Sequence, residues 1–105
     1  MTTFDKREEA FEQQFAHDEE LRFKATARRN KMLGLWAAQK LGLSGAEADS
    51  YALSVVMLDV DKKGDVAQMI HKDFGAKGVA QSAHQIERTM NEFMAQAVAD
   101  IKAGR

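Results

Sequence analysis

The segment from Asp59 to Asp65 comes nearest to a recognisable metal site in this chain. It places acids at the first, third and seventh positions of a calcium-binding loop and a glycine at the sixth. Its fifth position is Lys63, which would repel a cation, and its twelfth is Ile70, where a bidentate glutamate should stand. We therefore predict a turn between two helices here, with Gly64 as the residue that ends the first helix.

The other side chains that could do chemistry lack the spacing that catalytic and metal sites need. The three histidines fall in separate segments without zinc-ligand spacing. The glycines at 75 and 78 lack the length and the preceding strand of a phosphate-binding loop. No serine belongs to a nucleophile motif, and the chain has no cysteine, which rules out disulfides and thiolate metal sites. We predict no catalytic residue, no metal, no cofactor and no enzymatic activity. The side chains weighed for these roles are His17, His71, His84, Ser44, Ser50, Ser54 and Ser82.

Composition and charge narrow the function further. The chain of 105 residues is one domain by size, and its 45% hydrophobic content suffices for a core. A formal net charge of −1 gives no general attraction to nucleic acid or anionic lipid. The start carries no secretory signal, and no apolar stretch approaches the ~20 residues that span a bilayer. We therefore predict a domain that binds no nucleic acid and does not insert into a membrane, and the absence of cysteine is compatible with a cytoplasmic location.

The first forty residues set the organisation of the fold. The segment from Thr2 to Lys40 has no proline and is rich in residues of high helix propensity. Phe4, Phe11 and Phe15 form one apolar stripe on it. A second stripe faces a different direction, so the apolar face changes near residues 16–20. We predict two helical units here, the second carrying Leu21, Ala25, Met32, Leu35 and Trp36.

Three further helices are predicted after Lys40. The turn at residues 41–45 uses Gly42 in a left-handed conformation, and Ser44 with Glu47 fits a capping box. The helix at residues 46–60 is apolar nearly all round, so we expect it to be the central buried element. A short helix covers residues 66–74, and the last runs from a capping box at Ser82 and Gln85 to about residue 103. The predicted fold is all-α, an antiparallel four-helix bundle with an extended N-terminal helical segment. The core stripes are Val66, Met69, Ile70 and Phe74, then Ile86, Met90, Phe93, Met94, Ala97 and Ile101.

The first helical stretch is too long for its own bundle. A continuous helix from Phe4 to Lys40 would reach about 55 Å, against about 22 and 31 Å for the second and last helices. About half of it would overhang, and its phenylalanines would have no surface of the bundle beneath them. The segment would dock on another molecule, fold back to extend the core, or stay disordered.

The distribution of charge divides residues 2–40 into an acidic part followed by a basic part. Acids dominate up to residue 20, whereas residues 22–31 carry five bases and no acid. Acid early and base late suit a helix dipole, and Glu20 with Lys24 is a favourable i, i+4 pair. The basic run is either a solvated face or a site for phosphate or an acidic partner surface. If it grips nucleotide phosphates, the residues are Arg22, Lys24, Arg28 and Arg29.

The opening of the chain resembles a known family. The run MTTFDKREEAFEQQFAHDEELRFKATARRNKMLGLWAAQKLGLSG is similar to the start of the bacterial zeta subunits, small inhibitors of F-type ATP synthases. DEELRFKATARRNK and LGLWAA are its most specific parts, and SAHQIERTM with the final helix is compatible with the family. Residues 58–78 depart most from the family pattern.

The resemblance implies a function and a site. It implies a four-helix bundle at residues 18–105 and an inhibitory segment at residues 1–17. That segment would enter a catalytic interface of the rotary head, formed by the alpha, beta and gamma subunits, and block ATP hydrolysis. Three phenylalanines would anchor it in an apolar groove, with charged residues pairing at the edges. The implied partner-binding residues are Thr2, Thr3, Phe4, Asp5, Lys6, Arg7, Glu8, Glu9, Phe11, Glu12, Phe15 and His17.

Two other functions fit the same residues. A helical bundle could bind a nucleotide through its basic run, and titration with nucleotide would then shift signals on that face alone. It could also be a helical adaptor for another partner, in which case a pull-down would not recover ATP synthase subunits.

Overall fold

The computed structural model describes residues 19–105, and every regular element within them is an α-helix. The helices are α1 (Glu19–Lys40), α2 (Gly45–Val60), α3 (Val66–Lys77) and α4 (Ala83–Lys102). α1 packs against α2 on one side and α4 on the other, α3 packs mainly on α4, and α2 and α4 do not contact each other. The predicted all-α fold is therefore confirmed for this part of the chain. No helix in it has the length and apolar content to span a membrane.

The helix ends follow the local sequence with two exceptions. Gly42 is left-handed as predicted, with φ of 81°, and the capping box of α4 is present, since Ser82 and Gln85 each bond the other's backbone N–H. Ser44 stands at the N-cap of α2, but its side chain makes no capping hydrogen bond, so the predicted box is wrong. Gly64 does not end α2 either. α2 ends earlier, at Val60. In the turn that follows, Lys62 takes the left-handed conformation with φ of 54°.

The short helix is longer than predicted. α3 continues to Lys77 and ends at Gly78, whose φ of 72° suits a residue without a Cβ. Gly75, expected in a loop, lies inside this helix. At its other end Asp65 accepts a hydrogen bond from the Gln68 N–H at 2.9 Å, which satisfies one of the free donors of the first turn.

α1, not α2, supplies the most buried surface, so the prediction of a central second helix is wrong. α1 buries six residues, whereas α2 buries only Ala52 and Val55. The reason is geometric: α2 packs chiefly on α1 and only sparsely on α3, which leaves its far side in water. The buried residues of α1 are Ala25, Asn30, Leu33, Gly34, Ala37 and Ala38, so the predicted second stripe found Ala25 but missed the centre of the face.

The core joins all four helices. Its buried members are Leu33 and Ala37 of α1, Val55 of α2, Val66, Ile70 and Phe74 of α3, and Ile86 of α4. The predicted stripes of α3 and α4 are confirmed as core-facing: Met69, Met90 and Phe93 pack partly buried against this cluster, and Ala97 is fully buried. Trp36 lies edge-on to Phe74, with ring centroids 5.6 Å apart, and the ammonium of Lys40 lies 5.5 Å from the Trp36 ring.

A hydrogen bond ties α2 to α3 where their packing is sparse. The Tyr51 hydroxyl donates to Oδ2 of Asp73 at 2.7 Å. Burial, and then this hydrogen bond, raise the pKa of Tyr51 above its ordinary value, because both favour the neutral phenol. The stability that this adds is complete below pH ~10, where the unfolded tyrosine is also neutral, and is lost as pH rises beyond it.

Replacing Tyr51 with phenylalanine is therefore expected to lower the free energy of unfolding by about 1 kcal/mol at neutral pH. The gap between the two proteins should narrow above pH ~10, because only the wild type loses this contribution on deprotonation. Urea unfolding at a series of pH values measures the gap. Since Tyr51 is the single tyrosine, phenolate absorbance reports its ionisation directly. A gap that stays constant to high pH would contradict the role given to this hydrogen bond.

Candidate partner-binding surfaces

The predicted inhibitory residues, from Thr2 to His17, lie outside the described residues. The described part begins with Glu19 of α1. The candidate surfaces within it are those near the start of α1 and those that the described helices leave uncovered.

The basic run of α1 does not act as one group. Lys24 and Arg28 are one helical turn apart and line the same hollow at the end of the bundle. Arg29 turns away from it, and Arg22 is not among the lining residues. The predicted pair of Glu20 and Lys24 is confirmed, with Oε1 and Nζ 3.1 Å apart, but both side chains are mostly exposed, so the pair adds little stability.

The hollow combines cations with an apolar floor. It has a volume of about 400 Å³ and lies between the start of α1 and the end of the chain. Gly104, with φ of 77°, reverses the chain after α4, and Arg105 then comes within 3.4 Å of Asp100. Phe23 remains 60% exposed beside it. A ligand here would need an anionic group and an apolar body. The lining residues are Phe23, Lys24, Ala27, Arg28, Ile101, Gly104 and Arg105.

Arg29 belongs to a polar cluster inside the bundle. Its Nε and Nη2 donate to Oδ1 of Asn30 at 3.0 and 2.8 Å. Burial lowers the pKa of Arg29, and the charge of Asp59 on α2 acts in the opposite direction. Because the guanidinium is held this way, it is not available to the hollow that Lys24 and Arg28 line.

Asn30 is the one polar residue among the fully buried side chains of the described part. Its Nδ2 has no hydrogen-bond partner there. A buried amide donor left in this state costs roughly 1–3 kcal/mol. The buried face of α1 therefore gives up some stability at this position, while the Oδ1 of the same residue accepts the hydrogen bonds of Arg29.

The outer side of α2 exposes large apolar residues. Leu53, Met57 and Val60 are 60%, 42% and 41% exposed. Single exposed apolar residues are ordinary, but these three lie at i, i+4 and i+7 of one helix and so form a continuous stripe. Beside its N-terminal half is a second hollow of about 460 Å³, lined by Leu43, Ala46, Glu47, Ser50 and Tyr51.

The described residues hold no group of three or more side chains arranged to bind a metal ion. In the segment at residues 59–65, Asp59 and Val60 are the last two residues of α2, and residues 61–65 form the predicted turn between α2 and α3. Its Asp65 serves as the N-cap of α3, a structural role that occupies one of its oxygens. What the described part offers is binding surface, in the form of one cationic hollow, a second hollow beside α2 and the apolar stripe of α2.

Sequence reasoning missed several residues of these surfaces. Arg105 gave no signal, because it reaches the hollow only through the chain reversal at Gly104. Phe23 belongs to neither of the two apolar stripes predicted for residues 2–40. Its immediate neighbours in the sequence are charged, so the hydrophobic pattern did not single it out. The burial of Asn30 could have been read from its place one turn before Leu33 and Gly34, within the same face of the helix.

The chain is similar to proteins of one family. The family model for ATPase inhibitor subunit zeta matches residues 1–100. A solved structure described as "Solution NMR structure of the protein" is 36% identical, with a TM-score of 0.68, and the match covers 81% of this chain and 99% of that one. No curated protein is similar enough to count as a match.

Proposed function

Because the chain belongs to the ATPase inhibitor subunit zeta family, we propose that it inhibits ATP hydrolysis by inserting residues 1–17 into a catalytic interface of the F-type ATP synthase. The family supports a role as an ATP synthase inhibitor and a regulator without chemistry of its own. Residues 1–17 would be the segment that acts, the alpha, beta and gamma subunits of the rotary head would form its target, and insertion would be its mode of action.

The extent of the family match is the observation that carries this proposal. The match begins at residue 1, so it includes the N-terminal segment as well as the bundle. Within residues 19–105 the four helices share one core. The phenylalanines of residues 1–17 are the side chains that we assign to the contact with the other molecule.

The mechanism needs binding alone. A segment that binds one rotational state of the synthase more tightly than the next holds the enzyme in that state, to the extent of the difference in affinity. Phe4, Phe11 and Phe15 are proposed as anchors, because buried aromatic residues dominate the energy of most interfaces. Charged residues such as Lys6 and Glu12 would pair at the rim and contribute to the rate and specificity of binding.

Deleting residues 1–17 is expected to abolish inhibition of ATP hydrolysis while leaving the bundle folded. Phe11→Ala should weaken inhibition by about 2 kcal/mol, which is roughly thirtyfold in affinity. Lys6→Ala should have a smaller effect that depends on salt concentration. The measurement is a titration of synthase ATPase activity with each protein, and circular dichroism checks the fold. Equal inhibition with and without the segment would refute the insertion.

A second candidate function of the bundle is nucleotide binding, which has less support. Lys24 and Arg28 share their hollow with Arg105, and three cations over an apolar floor would suit a nucleotide. Of the four bases predicted for this role, Arg22 and Arg29 lie outside the hollow.

Binding to the synthase, with or without a nucleotide, would keep the protein in the cytoplasm and peripheral to the inner membrane.

A further inference from the structure

One face of α2 carries the pattern of a helix–helix seam but has no helix on it. Its residues follow one another in steps of four, three, four and three, which is the 3.5-residue repeat of a coiled coil. All five are exposed, whereas the buried residues of α2, Ala52 and Val55, face the other way. We call this face the α2 seam, and its members are Ala46, Ser50, Leu53, Met57 and Val60.

We propose that the α2 seam binds the α2 seam of a second copy of this chain, with the two helices antiparallel. The order of side-chain sizes along the seam supports this arrangement. Small residues occupy the N-terminal half and large ones the C-terminal half, with Leu53 in the middle. Antiparallel pairing about Leu53 places Ala46 opposite Val60 and Ser50 opposite Met57, so that each layer on either side of the central Leu53 pair joins a small side chain to a large one.

The surface beside the seam has a shape that fits this pairing. The hollow of about 460 Å³ lies at the small end of the seam, next to Ala46 and Ser50. In the antiparallel pair, Met57 and Val60 of the second copy lie over this end. Their side chains, which are 42% and 41% exposed in the single copy, would leave water and fill the hollow.

Charge favours the antiparallel over the parallel orientation. The first turn of α2 carries Glu47, with Asp49 close after it, and the turn that follows α2 carries Lys62 and Lys63. Antiparallel pairing brings the acidic end of each helix near the lysines of the other, although Asp61 beside the lysines offsets part of the attraction. Parallel pairing would place acid against acid and align the two helix dipoles unfavourably.

The same charges argue against the chain's own N-terminal segment as the occupant. Residues 1–18 carry more acids than bases, and the acidic end of the α2 seam would repel them. A seam of one helix pair, about 21 Å long, gives a small interface. Association is therefore expected to be weak and to depend on protein concentration.

The first test is sedimentation of the full chain from about 10 µM to about 1 mM, the affinity range of small transient contacts. The wild type should pass from monomer to dimer with increasing concentration. Leu53→Glu should weaken the dimer at least ~10-fold, because it places two carboxylates in the central layer. Leu53 is 60% exposed, so the variant should fold. Ala95→Glu, at an exposed position of α4, is the matched control and should dimerise like the wild type.

The second test fixes the orientation. The chain has no cysteine, so single cysteines can be introduced without background. A mixture of Ser50→Cys and Met57→Cys proteins should oxidise mainly to the mixed disulfide dimer in the antiparallel arrangement. Dominance of the two symmetric disulfides would indicate parallel helices and overturn the proposal. A protein that stays monomeric at every concentration would also overturn it, as would a Leu53→Glu variant that dimerises like the wild type.

Discussion

Replacing Phe74 with alanine is expected to lower the free energy of unfolding by about 4 kcal/mol, because it removes the largest side chain of the core. Phe74 is fully buried and is the largest of the buried side chains in the described part. Its ring packs edge-on against Trp36 of α1, so the substitution breaks a contact between helices as well as opening a cavity. A bundle of this size has a total stability of only about 5–15 kcal/mol, so the variant should lie close to unfolding.

Trp36 makes the measurement direct. It is the single tryptophan of the chain, and its fluorescence during urea unfolding reports the packing around residue 74. Phe23→Ala is the matched control, because Phe23 is 60% exposed and its loss should change stability by less than about 1 kcal/mol. Similar losses for the two variants would mean that residue 74 is not the centre of the core.

The sequence was most informative where one helix face is apolar and the opposite face is charged. α3 and α4 are of this kind, and both of their stripes and the capping box at Ser82 and Gln85 were predicted correctly. In these helices the local sequence pattern agrees with the tertiary packing, so the pattern predicts which face is buried.

α2 shows the limit of the same reasoning. Its residues are apolar on nearly all sides, which predicted a buried centre, yet Leu53 and Met57 face water. Periodicity tells which faces of a helix could be covered. It does not tell which neighbours are present to cover them, because that depends on how the other helices pack. The discrepancy points to the α2 seam as a surface available for association.

For α1 the error had the opposite sense, because the sequence pattern underestimated how much of the helix is buried. It carries many charges, and its buried centre is made of small residues that add little to an apolar pattern, among them Gly34, Ala37 and Ala38. Such residues allow close approach of helix backbones, and close approach buries the helix without large side chains. The candidate hollow shares this difficulty, since the basic run predicted Lys24 and Arg28 but only the fold brings Arg105 to them.

Gly34 gives the sharpest test of this close packing. A Cβ added at residue 34 would lie 2.6 Å from the Cα of Ala52 and 3.3 Å from its carbonyl oxygen. These are backbone atoms, so α1 and α2 would have to move apart to admit a methyl group. Overpacking of this kind costs about 1–3 kcal/mol, and the same substitution recovers up to about 1 kcal/mol of helix propensity.

Gly34→Ala is therefore expected to destabilise the bundle by up to about 2 kcal/mol, as the difference of these two effects. Gly75→Ala is the matched control, because Gly75 lies inside α3 and a Cβ there meets no atom within 4 Å. That variant should gain up to about 1 kcal/mol. Adding Ala52→Gly to Gly34→Ala removes a Cβ that lies 3.1 Å from the added one. It leaves the shorter contact with the Ala52 Cα, so it should restore packing only in part. Stability that rises equally in both single variants would show that α1 and α2 are not held in close contact at residues 34 and 52.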